Sequence, residues 1–275
     1  MESTRPIGVF DSGVGGLTVL HECLVTMPHE DFVYVGDTGR FPYGGHSLDE
    51  LREFSLEIGT WLEAQDIKLL VVACNSATAA ALPDLQRHLA VPVMGVVAPE
   101  ARAAVQATRS RRVGVLATEA TVASRRYRDA LLALDAGLTV IEVPCPGLAD
   151  RIQNGDPYDE QMVEAVRECC EPLRTEGVDT VILGCTHYPL IRPMFQRELG
   201  RDVALVTGAE ELAGEVAATL VRRGLARLVV RRGSYRFACT GDPEEFAVVG
   251  RRFLQFPLGM VQRLEAAELG HAPAA

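Results

Sequence analysis

Two cysteines stand where an open α/β sheet puts its chemistry. The run Leu69-Leu70-Val71-Val72-Ala73 leads into Cys74, and Asn75-Ser76 then precedes an alanine-rich stretch ending at Leu82. A continuous apolar run of that length reads as a strand buried on both faces. Asn75 and Ser76 offer N-caps, and the stretch after them reads as a helix. Cys74 therefore sits at the carboxyl end of a strand, where such sheets hold ligands. N–H groups at the helix start point at the same spot, which favours thiolate over thiol. The design recurs 111 residues later, where Val181-Ile182-Leu183-Gly184 runs into Cys185-Thr186-His187. Either cysteine alone reads as a small buried core residue. Two at matching strand ends, each followed by polar capping groups, read as chemistry.

One thiolate with a histidine suits acyl transfer. Two opposed thiols suit something else: one removes a proton from a carbon while the other delivers one to the opposite face, once their pKa values are tuned. That is stereoinversion without a cofactor. The α-proton of an amino acid is a weak acid, so the carbanion needs dry surroundings and donors aimed at the carboxylate. Ser12, Asn75, Ser76, Thr186 and helix-start N–H groups are on hand. His187, two residues past a thiol, reads equally as a participant and as a capping histidine.

The elements that must position these groups follow from the hydrophobic pattern. Strand Ile7–Phe10 runs into Asp11-Ser12-Gly13-Val14-Gly15-Gly16, and Leu17 opens a helix. The glycines let backbone approach a ligand. This is no dinucleotide fingerprint, because position 18 is Thr18, and Asp11 would repel a phosphate; a plain strand–helix turn is an equal reading. Next come strand Phe32–Val35, a Gly/Pro-rich loop from Asp37 to Gly45, helix Leu48–Gln65 with Trp61 in the core, and strand Val93–Val96. The first half ends near Pro99. A second series then predicts helix Ala101–Thr108, strand Val113–Leu116, helix Ser124–Leu134, strand Leu138–Val143, helix Asp159–Glu176, the Cys185 strand and strand Val203–Val206. Helix Glu210–Arg222, strand Tyr235–Cys239 and helix Glu244–Leu254 lack partners there and return to the first domain. The expected domains are thus 1–98 plus 209–275, and 99–208, two similar halves facing each other. The tail from Glu265 is expected to fray.

Composition narrows the function. The chain has 275 residues, 48% hydrophobic and 23% charged, as an ordinary soluble globular protein does. A net charge of −10 argues against nucleic-acid or anionic-membrane partners. No run reaches transmembrane length, and Met1-Glu2-Ser3-Thr4-Arg5 is no signal peptide. Seven cysteines, an odd number without framework spacing, fit a reducing cytoplasm. Lys68 is the only lysine among 27 basic residues. It lies at the far end of the Cys74 strand, so pyridoxal phosphate and Schiff-base chemistry are not expected. Cys169-Cys170, Cys23, Cys145 and Cys239 read as packing. Zinc is not expected, since Cys185-Thr186-His187 lacks a second ligand pair. His21, His29, His46, His88 and His271 need no role.

Several stretches together resemble the glutamate racemases of the aspartate/glutamate racemase superfamily. They are Asp11-Ser12-Gly13-Val14-Gly15-Gly16-Leu17-Thr18, Gly36-Asp37-Thr38 with Pro42-Tyr43-Gly44, Ala73-Cys74-Asn75-Ser76, Gly184-Cys185-Thr186-His187-Tyr188-Pro189-Leu190, and Thr240-Gly241-Asp242-Pro243-Glu244. The resemblance implies an α/β fold of two pseudosymmetric domains, each a mainly parallel sheet flanked by helices, with the active site in the cleft between them. It implies racemisation of glutamate without cofactor or metal, supplying D-glutamate for peptidoglycan in the cytoplasm; a homodimer is the expected assembly. Cys74 would serve the D hand and Cys185 the L hand, assisted by Asp11 and His187. Asp11, Ser12, Tyr43, Gly44, Asn75, Ser76, Thr186 and His187 would hold the substrate, and Thr118 and Thr121 match a further contact region.

Some positions depart from the family pattern. Ser76 stands where threonine is usual, and Ala98-Pro99-Glu100 replaces the common Glu-Pro-Gly at the domain crossing. Ala117 and Ala120 replace glycines, and Gln153 stands where many relatives carry a glutamate behind the histidine. Three rivals remain. An aspartate racemase would tend to carry glutamate at position 187. A single-cysteine decarboxylase on the same fold would lack one thiol. A binding protein that kept the fold would bind without turnover.

Overall fold

The computed structural model describes residues 4–155, 159–229 and 231–270. Residues 1–3 of the polar start, and His271, lie outside the described residues. The chain begins with β1 (Ile7–Asp11), α1 (Leu17–Thr26) and β2 (Phe32–Gly36), then two 3₁₀ turns at Thr38–Arg40 and Tyr43–Gly45. It continues through α2 (Leu48–Ala64), β3 (Leu69–Val72), α3 (Asn75–His88), β4 (Val93–Gly95) and α4 (Val97–Ala107). The second series is β5 (Arg112–Ala117), α5 (Glu119–Ala123), α6 (Arg126–Leu134), β6 (Thr139–Pro144), α7 (Leu148–Asn154), α8 (Glu160–Thr175) and β7 (Thr180–Gly184). A 3₁₀ turn (Tyr188–Ile191), α9 (Arg192–Leu199), β8 (Ala204–Val206) and α10 (Ala209–Arg222) follow. β9 (Tyr235–Cys239), α11 (Pro243–Leu254), β10 (Val261–Arg263) and a last 3₁₀ turn (Ala266–Leu269) complete the order.

The strands form two parallel sheets, ordered β10-β9-β2-β1-β3-β4 and β6-β5-β7-β8. Helices cover both sheets, so the central strands are buried along their whole length. This is why they read as unbroken apolar runs. β9 pairs with β2, and α10 and α11 both pack on α1. No helix among the described residues is long and apolar enough to cross a membrane.

The structure corrects several expectations. α4 begins at Val97, four residues before the expected start, and runs through Pro99. Proline is tolerated in the first turn because the N–H it lacks would have no helical partner there. The helix expected at Ser124–Leu134 begins two residues later, at Arg126, after Arg125 turns with φ 57°, and a short helix not expected, α5, precedes it. Trp61 is half-buried at the edge of the core rather than inside it. The tail does not fray at Glu265: Glu265 and Glu268 cap the last 3₁₀ turn reciprocally, and Leu269 packs on the core.

Candidate active site

In each sheet the chain leaves a central strand in two directions. β1 lies between β2 and β3, and β5 lies between β6 and β7. The carboxyl ends of β1 and β3 therefore make one topological switch point, and those of β5 and β7 another. Register fixes what meets there. Phe10 pairs with Val72, so Asp11-Ser12 lies alongside Ala73-Cys74. Ala117 pairs with Gly184, so Thr118 lies alongside Cys185.

One cavity joins the two switch points. Ser12, Tyr43, Gly44, Cys74, Asn75, Ser76, Thr118, Cys185, Thr186 and His187 all line it. Its volume is about 10 Å³, close to the room one water needs. No lysine or arginine is among its lining residues. Asp11 and Thr121 sit just behind the wall, each fully buried. A larger cavity of about 230 Å³ lies beyond Phe41 and Gln153, but neither thiol reaches it.

Cys74 itself is the N-cap of α3, with Asn75 and Ser76 inside the helix rather than capping it. Its sulphur accepts the Ala77 N–H at 3.4 Å and donates to Ser12 Oγ at 3.6 Å. The N–H lowers the thiol pKa as expected, but burial and the nearby Asp11 outweigh it and push Cys74 up to about 12. Cys185 is also pushed well above the ordinary thiol range, chiefly by burial. The expectation of a favoured thiolate is thus overturned: in this buried site both residues rest as thiols.

His187 Nε2 lies 2.9 Å from Gln153 Oε1, which also accepts the Val14 N–H at 3.3 Å. A backbone N–H can only donate, so the Gln153 atom is the oxygen and His187 carries its proton on Nε2. Nδ1 is then an acceptor, 3.8 Å from Cys185 Sγ and 3.5 Å from Thr186 Oγ1. Burial lowers the imidazole pKa to about 3, so the ring is neutral: Nδ1 faces Cys185 as a hydrogen-bond acceptor but is a weak base toward its raised thiol. Gln153 comes from α7, an element absent from the expected order. Its side chain nonetheless occupies the support position noted as a departure.

On the other flank the Asp11 carboxylate accepts the Gly13 N–H at 2.9 Å and the Thr186 hydroxyl at 3.1 Å. Burial raises its pKa to about 6 despite those bonds. Gly15 permits this close packing, because a Cβ there would lie 2.4 Å from Thr186 Oγ1 and 2.6 Å from the His187 ring. The Tyr43 hydroxyl donates to Asp37 Oδ2 at 2.5 Å, and Arg40 Nε holds the same oxygen at 2.7 Å. Ser76 Oγ meets Thr118 Oγ1 at 2.9 Å and Thr121 Oγ1 at 3.1 Å, a trio of hydroxyls. Asn75 Nδ2 donates to Glu100 Oε2 at 3.0 Å and to the Tyr127 oxygen at 2.6 Å. Glu100 and Tyr127 carry no signature in the sequence beyond the departure at position 100. Among the described residues no three His, Cys, Asp or Glu side chains gather as a metal site would require.

Known proteins resemble the chain in sequence and fold. Residues 24–216 match the family described as Asp/Glu/Hydantoin racemase. A glutamate racemase from Acidothermus cellulolyticus is 44% identical over 260 residues, covering 94% of this chain and 98% of its own length. The structure of a glutamate racemase isoform from Bacillus anthracis superposes with a TM-score of 0.91 at 39% identity, over 95% of this chain and 98% of that one. A glutamate racemase from Francisella tularensis, solved in complex with D-glutamate, gives a TM-score of 0.89 at 30% identity, over 95% and 97% of the two chains. On fold, extent of match and identity together, the chain belongs to the glutamate racemases of the Asp/Glu/hydantoin racemase family.

Proposed function

We propose that the chain interconverts L- and D-glutamate with two cysteines as the acid and base at the α-carbon, assisted by Asp11 and His187, and that the D-glutamate feeds peptidoglycan synthesis in the cytoplasm. The observation that carries this reading is the placement of Cys74 and Cys185, from two switch points, on one small cavity with no lysine or arginine in its lining. The Francisella tularensis relative binds D-glutamate, which supplies the substrate class.

The chemistry is written for the L hand. Cys185 first gives its proton to His187 Nδ1. That transfer is steeply uphill in the free site, where burial raises the thiol and lowers the imidazole to about 3, and it needs the substrate ammonium beside the thiolate. The thiolate then takes the α-proton of L-glutamate, and the carbanion takes the Cys74 proton from the opposite face. Product release leaves a Cys74 thiolate and a His187 imidazolium; the imidazolium gives its proton to solvent and Cys74 takes one from solvent, with Asp11 close enough to influence that recharging. Neutral hydroxyls and N–H groups hold the carboxylates, so no cation competes with the substrate ammonium. That ammonium in turn lowers the cost of both thiolates, which burial alone makes high.

Circular dichroism of L-glutamate with the pure protein, no cofactor added, tests the reaction. The mechanism is tested by Cys185→Ala, which should abolish inversion. In D₂O that variant should exchange the α-hydrogen of D-glutamate rather than L-glutamate, and Cys74→Ala should show the reverse preference. Racemisation by Cys185→Ala at near the parent rate overturns the two-thiol mechanism.

A further inference from the structure

We infer that Glu100 is a positioning residue, one that fixes the Asn75 amide at the cavity wall and ties both chain crossings between the sheets to it. The inference rests on the reading of Asn75 as a substrate contact.

Glu100 lies in the first turns of α4, the segment that carries the chain from the first sheet to the second, and is 4% exposed. Its Oε2 accepts from Asn75 Nδ2 at 3.0 Å and from the Tyr127 hydroxyl. Its Oε1 accepts the Gly208 N–H at 3.1 Å. Gly208 precedes α10, where the chain crosses back. One carboxyl thus joins α3, α4, α6 and the start of α10. The fit at the return crossing is close: a Cβ on Gly208 would lie 2.3 Å from Glu100 Cγ.

These bonds decide how Asn75 is turned. Tyr127 donates its proton to Glu100, so the phenol oxygen is left to accept from Asn75 Nδ2. Both partners of that nitrogen are acceptors, and the NH₂ group is committed to them. The amide keeps only Oδ1, an acceptor, for the cavity it lines. An acceptor suits the α-ammonium of an amino acid and repels a carboxylate. Without Glu100 the amide has no reason to prefer this orientation.

Three donors converge on Glu100, so its charged form is the better anchor. Burial opposes that form and Glu211 of α10 adds a like charge, leaving the carboxyl to titrate near 8. Tyr127 stays protonated, held well above its ordinary range by burial and by Glu100, and Cys185 is likewise raised. As pH rises through about 8, Glu100 loses its proton and grips Asn75 more firmly.

The test is substrate affinity. KM, kcat and the calorimetric Kd for both hands of glutamate are measured from pH 6.5 to 9 on the parent, Glu100→Gln, Tyr127→Phe and the double variant. In Glu100→Gln the Gly208 N–H keeps the amide oxygen, so Nε2 faces Asn75 Nδ2, donor against donor, and Asn75 turns over. KM and Kd should rise roughly 10- to 100-fold, as for a lost hydrogen bond to a charged group, with kcat changed much less. Tyr127→Phe should move the same way by less, and the double variant should be no worse than Glu100→Gln, since both act through one amide. The parent KM should fall as pH rises through about 8, and Glu100→Gln should lack that dependence. Unchanged KM and Kd in folded Glu100→Gln, or a lower melting temperature alone, overturns the inference; if that variant cannot be recovered folded, unchanged affinity in Tyr127→Phe does so. A parent that binds glutamate without turning it over overturns the proposed reaction, and the Kd comparison still decides Glu100.

Discussion

Replacing Gln153 with glutamate sets a carboxylate against His187. The present contact is neutral, Nε2–H to Oε1 at 2.9 Å. Two unit charges at that separation attract by about 6 kcal/mol at an effective dielectric of about 20. Much of this is offset by burying the new carboxylate, since position 153 is 7% exposed. Opposite charges this close shift a pKa by roughly 1–3 units in practice. His187 should therefore climb from about 3 into the range of roughly 4–6. Each unit makes its uptake of the Cys185 proton easier by about 1.4 kcal/mol, or tenfold in any step that waits on it. The assay is ¹⁵N NMR of the imidazole across pH, joined to kcat and KM for both hands. In the parent the spectra should show a neutral ring with Nε2 protonated throughout the neutral range. In Gln153→Glu the titration should move upward, and kcat from L-glutamate should rise. Enantiomers have an equilibrium constant of one, so kcat/KM must change equally for both hands, which checks the kinetics internally. A parent imidazole titrating near 6.5, or one protonated on Nδ1, refutes the argument.

Three further outcomes are expected. Lys68→Met should destabilise the fold by about 3–5 kcal/mol in urea titrations, because it strands Glu30, which is paired with Lys68 at 2.5 Å in the core. His187 has a folded pKa of about 3, below its ordinary 6.5, so the unfolded chain holds more protons between those values. Its contribution is complete above pH 6.5 and is lost as pH falls toward 3, up to roughly 5 kcal/mol; Asp11, raised to about 6, works in the opposite sense below that pH. A folded His187→Asn variant should show a shallower acid limb by thermal melts at stepped pH, and an unchanged limb would contradict the assignment. Ser76→Ala removes one member of the hydroxyl trio and should weaken glutamate binding by roughly 1.5–3 kcal/mol, read as KM, if that hydroxyl holds a carboxylate.

The sequence discloses most where one strand decides everything. Leu69 to Val72 and Thr180 to Gly184 are buried on every residue, and a fully buried strand cannot hide its pattern. The thiols that follow such strands were legible for the same reason. α7 was not, since its seven residues are too few to show helical periodicity and it follows Pro144, Pro146 and Gly147. Gln153 thus had no element to stand on, and its partner His187 lies 34 residues away. Glu100 reads as an ordinary acid near a helix start; only the return of the chain at Gly208 and the approach of Tyr127 bury it. The protonation of Cys74 is not legible because a helix start is written locally, whereas burial is made by residues distant in sequence.

The single lysine has a use outside catalysis. Lys68 is fully buried, its ammonium held by Glu30 and by the Leu225 carbonyl at 2.8 Å. An endoproteinase that cuts only after lysine therefore finds one site in these 275 residues, and in the folded chain that site is shut. Cleavage needs β3 and its neighbours to come apart, so two fragments accumulate only as fast as the first sheet opens. When reclosing outpaces cutting, the rate reads the opening free energy directly. The protein thus carries its own proteolytic gauge of sheet stability, one that needs no label and reports from the strand that leads into Cys74.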